Sequence, residues 1–189
     1  MNIIIKNKNI EKNEIIKFIA NLKDLYNLNK NITLIQFDFW FDKKFIMPFN
    51  INKIITGHFF NKKIIISQNI THLLFDFSFN CKIKMPQNIT HLTFDNKFNR
   101  KIKISQNITH LTYGYKFNRQ INITHSITHL NYGYDFNQKI KISQNVTHLF
   151  LEYKFDYNIK ISHNLTHFAV GQKTKFFRKE NIVFLTKIT

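Results

Sequence analysis

Apolar and polar residues alternate in short bursts that recur at a fixed interval along most of this chain. Six bursts share one form, and each begins 19 residues after the last: Ile70-Thr71-His72-Leu73, Ile89-Thr90-His91-Leu92, Ile108-Thr109-His110-Leu111, Ile127-Thr128-His129-Leu130, Val146-Thr147-His148-Leu149 and Leu165-Thr166-His167-Phe168. Two earlier copies stand in the same frame, Ile32-Thr33-Leu34-Ile35 clearly and Ile51-Asn52-Lys53-Ile54 weakly. A period near 20 residues predicts a stack of coils, each covering a neighbour that cannot bury its apolar side alone.

We number each coil from the first residue of its burst. Position 4 is then Ile35, Ile54, Leu73, Leu92, Leu111, Leu130, Leu149 and Phe168. Position 6 is Phe37, Thr56, Phe75, Phe94, Tyr113, Tyr132, Leu151 and Val170. Apolar residues two apart around a more polar one predict a short strand with one buried face. Position 10 is a column of Phe (41, 60, 79, 98, 117, 136 and 155), and positions 14 and 16 form a second alternation, as in Ile102 and Ile104. Nineteen residues leave little room for a helix on the far side, which is expected to be a short strand or an irregular turn. Asn recurs at positions 11 and 19, where its amide can bond its own backbone or the next coil. Gly114, Gly133 and Gly171 occupy position 7, at the expected sharp turn.

The ends depart from the repeat. Between Glu11 and Leu28 the apolar residues Ile15, Phe18, Ile19, Leu22, Leu25 and Tyr26 fall at spacings of three and four, which predicts one amphipathic helix. Such a helix serves as a cap on the open apolar end of the stack; a docking helix for a partner is the other reading. Ile3–Ile5 and Ile182–Leu185 read as short strands. The chain divides into an N-terminal cap (1–31), the repeat region (32–171) and a degenerate C-terminal cap (172–189). The expected fold is a mostly β, right-handed solenoid of 19-residue coils with an N-terminal α-helical cap.

Composition adjusts this picture. The 21 Phe among 189 residues suggest a wide core, and a single cysteine, Cys81, excludes an intrachain disulfide and points to a reducing, cytoplasmic compartment. No apolar stretch approaches the roughly 20 residues that span a bilayer, so no membrane partner is expected. The 28 Lys and Arg against 11 Asp and Glu give +17, which predicts attraction to polyanions. An AT-rich coding bias, visible in the abundance of Ile, Asn, Lys, Phe and Tyr, supplies lysine without selection for binding.

Phe-Asn, two variable residues and Ile, then Asn-Ile-Thr-His-Leu and an aromatic-Gly pair, resemble the FNIP repeat. The clearest copies run from Phe98-Asn99 to Tyr113-Gly114 and from Phe117-Asn118 to Tyr132-Gly133. The resemblance covers about 32–171 and implies a leucine-rich-repeat-like solenoid of a family known from amoebae and their large viruses. It implies protein interaction and no known catalysis. The coil is shorter than the usual 22 or so residues, and the Ile-Pro step survives only as Met47-Pro48 and Met85-Pro86. Residues 1–31 lack the Leu-Pro opening of an F-box.

On a strand of this kind positions 3, 5 and 7 face outward. Position 3 is the histidine column His72, His91, His110, His129, His148 and His167, expected to be a ladder of stacked rings that loses stability towards pH 5, rather than a metal cage. Tyr115, Tyr134 and Tyr153 at position 8 read as an exposed row beside the histidines, suited to anchor a partner. Accordingly His91, His110, His129, His148 and the three tyrosines are the candidate protein-binding residues. Lys82, Lys84, Arg100, Lys101, Lys103, Arg119, Lys139 and Lys141 form basic rows, the candidate site for nucleic acid or another polyanion. Carboxylates are few and no nucleophile accompanies the histidines, so no enzyme, cofactor or metal is expected. The expected function is a monomeric scaffold for an unidentified protein, with polyanion binding as the alternative.

Overall fold

The computed structural model describes residues 16–157, 159 and 162–170, together with the backbone of Val183 and Phe184. One parallel sheet of ten strands runs its length, in sequence order without a crossover. The strands are β1 (Ile16–Ile19), β2 (Leu34–Phe37), β3 (Lys53–Ile55), β4 (His72–Phe75), β5 (His91–Phe94) and β6 (His110–Tyr113), followed by β7 (His129–Tyr132), β8 (His148–Leu151), β9 (His167–Val170) and β10 (Val183–Phe184). Register is fixed coil by coil: His91 pairs with His110, Leu92 with Leu111, Thr93 with Thr112 and Phe94 with Tyr113. A one-residue slip would turn the histidines inward and the leucines outward, so the alternation itself sets the register.

Each coil turns twice. After the strand, the N–H at position 10 donates to the carbonyl at position 7, as from Phe79 to Asp76 (3.2 Å) and from Phe136 to Gly133 (3.1 Å). Before the next strand, Ile70 N donates to Ser67 O and Val146 N to Ser143 O at 3.3 and 3.2 Å. Between the turns the chain is irregular, so among the described residues the far side is a looped wall and not a second sheet. Asparagine does the work that strand pairing does elsewhere. Asn61, Asn80, Asn99 and Asn118 each use Oδ1 to accept the N–H at the same position of the next coil, at 2.9 to 3.1 Å. At position 19 the amides of Asn107, Asn145 and Asn164 donate to carbonyls of the preceding coil at 2.7 to 2.9 Å. Irregular backbone with its polar groups bonded in this way can be repeated without leaving orphans.

The core lies between strand and wall. Two rings per coil fill its middle: Phe94 stacks on Phe98 at 3.7 Å, Tyr113 on Phe117 at 3.7 Å, and Tyr132 on Phe136 at 3.7 Å. Along the stack the position-10 rings repeat at 6.0 to 6.2 Å. Inside this column the phenol oxygens of Tyr113 and Tyr132 are buried and have no hydrogen-bond partner among the described residues. An unmet buried hydroxyl costs roughly 1–3 kcal/mol. Replacing Tyr113 or Tyr132 by Phe, the residue already at that position in β4 and β5, is expected to raise stability by about 1 kcal/mol each. Thermal unfolding checks this; a lower melting temperature would mean that the hydroxyls are engaged.

The N-terminal region differs from expectation. No single helix spans Glu11 to Leu28: Ile16–Ile19 is β1, paired parallel with β2, and of the described residues in this segment only Leu22–Tyr26 is helical (α1). Asn21 caps α1, accepting from Lys23 N and Asp24 N while Asp24 bonds back to the cap backbone, and Asn27 ends it. The three-and-four spacing also fits a strand followed by a turn. Ile19 and Leu25 are buried, whereas Phe18 and Tyr26 are 50% and 61% exposed and do not share one face with them. The expected strand at Ile3–Ile5 lies outside the described residues. Near the other end, Val183–Phe184 does pair with β9, in line with the expected closing strand.

Candidate functional site: the histidine groove on the strand face

The alternation in β4 to β8 buries positions 4 and 6 and leaves positions 3 and 5 half-exposed on the opposite face. An open groove of about 290 Å³ runs along that face, lined from Leu34 on β2 to Phe150 on β8. One wall is the histidine column. Its five neighbouring ring pairs stack at 4.0–4.1 Å with planes within 16° of parallel, so the ladder expected from the sequence is present. Lys53 on β3 continues the same column. The other wall is position 5, which varies along the groove: Ile55, Leu74, Thr93, Thr112, Asn131 and Phe150.

Threonine at position 2 orients every imidazole. The hydroxyl Oγ1 of Thr90 donates to the carbonyl of Thr71 at 3.2 Å and lies 2.9 Å from Nδ1 of His91, and the same pair of contacts recurs at Thr109 and His110, and at Thr128 and His129. A hydroxyl has one proton. Given to the carbonyl, it leaves Oγ1 to accept from Nδ1–H, so that Nε2 keeps its lone pair. The stacked rings hold those lone pairs parallel rather than convergent. Among the described residues, no group of three or more His, Cys, Asp or Glu is arranged to hold a metal ion.

The imidazoles resist charging. Burial, followed by the charge of His72, Lys53 and His129, pushes His91 down to about 4. His110, His129 and His148 are also lowered, first by burial and then by neighbouring rings. Free histidine titrates near 6.5, so below that pH the unfolded chain binds more protons than the fold. Stability is therefore full above pH 6.5 and drains away as pH falls from 6.5 towards 4. Because the rings are half open to solvent, screening reduces the effect. We expect the melting temperature to fall by roughly 5 °C between pH 7.5 and 5. An unchanged midpoint would contradict the coupling.

The three tyrosines lie elsewhere. They sit past the strand ends, on the turn, and none lines the groove. Tyr115 stacks on Tyr134 at 4.7 Å, and Tyr134 on Tyr153 at 5.2 Å. Tyr115 and Tyr153 are 40% and 39% exposed. Asp135 braces this row by pairing with Lys116 at 3.3 Å and Lys154 at 2.6 Å, and both ammonium groups lie over tyrosine rings. Thus the expected single strip is two features, a histidine groove and a tyrosine rim. The tyrosines alone stood out in the sequence, yet at the same position of the first three coils Phe39, His58 and Phe77 form a second stack, with rings 4.4 and 4.5 Å apart, separated from the tyrosines by Asn96. Position 8 in the early coils was the available signal.

The basic residues occupy the wall away from the strands. Lys82, Lys84, Arg100, Lys101, Lys103, Arg119, Lys139 and Lys141 are all exposed. Arg100 and Arg119 use Nε to donate to the carbonyls of Asn80 and Asn99, and among the described residues none of the eight is ion-paired.

No family model and no curated protein matches this chain. Among solved structures it is similar to CroV588, from a giant virus, described as a novel circular LRR protein. The TM-score is 0.65 at 25% identity, over 82% of this chain and 29% of that one, so this chain spans under a third of its neighbour's length. The fold is a mostly β, leucine-rich-repeat-like solenoid, a type typical of interaction scaffolds. No described helix is long and apolar enough to cross a membrane.

Proposed function

We propose that this chain is a non-catalytic, FNIP-type repeat scaffold that holds another protein against its strand face. The observation that carries this reading is the groove. Its frame of Thr, His and Leu repeats unchanged from β4 to β8, while position 5 carries five residue types over six coils and so offers a partner a distinct sequence of contacts. His91, His110, His129 and His148 would line the seat, with Tyr115, Tyr134 and Tyr153 as a rim that meets the partner beyond the strand ends. Tyrosine gives large contact area with few rotatable bonds, and the bracing by Asp135 lowers the ordering cost further. The protein acts as a monomer in the cytoplasm and needs no cofactor. A second reading, polyanion binding, is favoured by one feature only, the eight exposed cations on the opposite wall, none of which is ion-paired among the described residues.

The two readings part on salt. Phosphate contacts release counterions and weaken steeply with salt, while an aromatic-centred interface weakens less. Wild-type protein and a Tyr115→Ala, Tyr134→Ala, Tyr153→Ala variant are incubated with nuclease-treated host-cell lysate and washed at low and high salt. A discrete protein that survives high salt and is lost with the tyrosines supports the scaffold. Retention of nucleic-acid proteins alone, abolished by salt, overturns it.

A further inference from the structure

We propose that the histidine groove is a proton-coupled receptor for an acidic peptide segment, in which carboxylates lie along the imidazole column and aliphatic side chains lie against position 5. This rests on the strand-face reading above and names the partner's chemistry.

The charge inventory of the groove is one-sided. Its titratable groups are Lys53 on β3 and His72, His91, His110 and His129 on β4 to β7, with His148 and His167 continuing the column on β8 and β9; no carboxylate lines it. His91, His110, His129 and His148 bond threonine through Nδ1, and Nε2 of each has no partner among the described residues. A proton arriving at Nε2 leaves the threonine network intact and creates a charged donor that faces the groove. Without a ligand, each such charge is opposed by its stacked neighbours at 4.0–4.1 Å and by burial. A carboxylate beside the column reverses both penalties, because an ion pair with a hydrogen bond is strongest where water is partly excluded. Ligand and proton therefore bind together, and each raises the affinity of the other.

The geometry selects peptide over single-stranded nucleic acid. Nucleic acid binds without sequence preference by stacking bases on open aromatic faces. In this groove the imidazole faces are covered by one another, so only ring edges are presented. On the facing wall Ile55, Leu74 and Phe150 suit aliphatic side chains, and Thr93, Thr112 and Asn131 between them suit the polar groups of a peptide.

The test is isothermal titration of the full chain with a hexaglutamate peptide at pH 7.5 and pH 5.5, in buffers of different ionisation heat. Oligothymidylate of equal charge is run alongside. The expected result is at least tenfold tighter peptide binding at pH 5.5, with uptake of one or more protons per peptide. A His91→Gln, His110→Gln, His129→Gln variant is expected to lose both the affinity and the proton uptake. Thr112→Trp, which fills the groove and leaves every histidine in the sequence, is expected to lose binding as well, should the glutamine variant fail to fold. Binding that is indifferent to pH, preference for oligothymidylate, or loss of peptide only when Lys101, Lys103 and Lys139 become Gln would overturn the proposal. No peptide binding, together with capture of a lysate protein that Thr112→Trp abolishes, would reject the acidic partner and leave the strand-face scaffold standing.

Discussion

Phe117→Ala is expected to lower stability by about 3–5 kcal/mol and the melting temperature by roughly 10 °C or more, as read by circular dichroism. Phe117 is fully buried at the middle of the stack. Its ring lies 3.7 Å from Tyr113 in its own coil and 6.2 Å from Phe98 and from Phe136 in the coils on either side. Truncation opens a cavity shared by three coils. Asn118, the next residue, accepts the N–H of Asn137 and ties the same coil to its neighbour, which hinders collapse around the hole. Because each coil touches only its neighbours, loss of a central coil divides the stack, and unfolding should become less cooperative as well as earlier. A loss below about 1 kcal/mol would mean that the ring column is not what joins the coils.

Gly133→Ala carries the second large effect, about 3 kcal/mol at the upper end for overpacking. A β-carbon there would stand 2.4 Å from the carbonyl carbon of Gly114 and 2.5 Å from its oxygen. Both are backbone atoms, so no rotamer change relieves the contact. The coils would separate at the turn, straining the bond from Asp135 N to Tyr115 O (2.8 Å) and the stack of Tyr115 on Tyr134. Asp95 and Glu152 carry a β-carbon at the same position, and their N–H groups donate back to Phe75 O and Tyr132 O at 2.9 and 3.2 Å. Near-wild-type melting of Gly133→Ala, measured beside the control Glu152→Ala, would contradict this.

Most of the stack was legible because a repeat multiplies each weak local signal. Leu92, Phe94 and Phe98 in one coil are ambiguous, but the same three offsets in seven coils leave one arrangement that buries them all. Asparagine at position 11 was legible for the same reason: a residue that bonds backbone, kept at one offset, finds its partner in the next coil. Where the repeat stops, that support is lost. Ile15, Phe18, Ile19, Leu22 and Leu25 fit a helical stripe and also a strand, a turn and a short helix, and only pairing of β1 with β2 separates the two. The local clue was Asn21 with Asp24 three residues later, a helix start placed well inside the segment read as helix.

The candidate site was half legible. The histidine column and its stacking follow from one residue type at one outward position. The groove does not, since it arises from how seven strands together shape a surface, and Lys53 entered it from the weakest copy of the repeat. Thr90, Thr109 and Thr128 recur in the bursts with no role that the sequence shows, and their part in fixing the imidazoles lies in the distances. The tyrosines were placed beside the histidines because both face outward; the turn after position 6 carries them to a separate rim.

The central claim is that binding happens on the strand face. It is tested most directly by comparing two folded variants for retention of the partner captured from lysate at high salt: Thr112→Trp in the groove, and Lys101→Gln, Lys103→Gln, Lys139→Gln on the opposite wall. The groove variant is predicted to lose at least nine-tenths of the captured protein while the lysine variant keeps it. Retention by the groove variant with loss from the lysine variant would move the function to the basic wall.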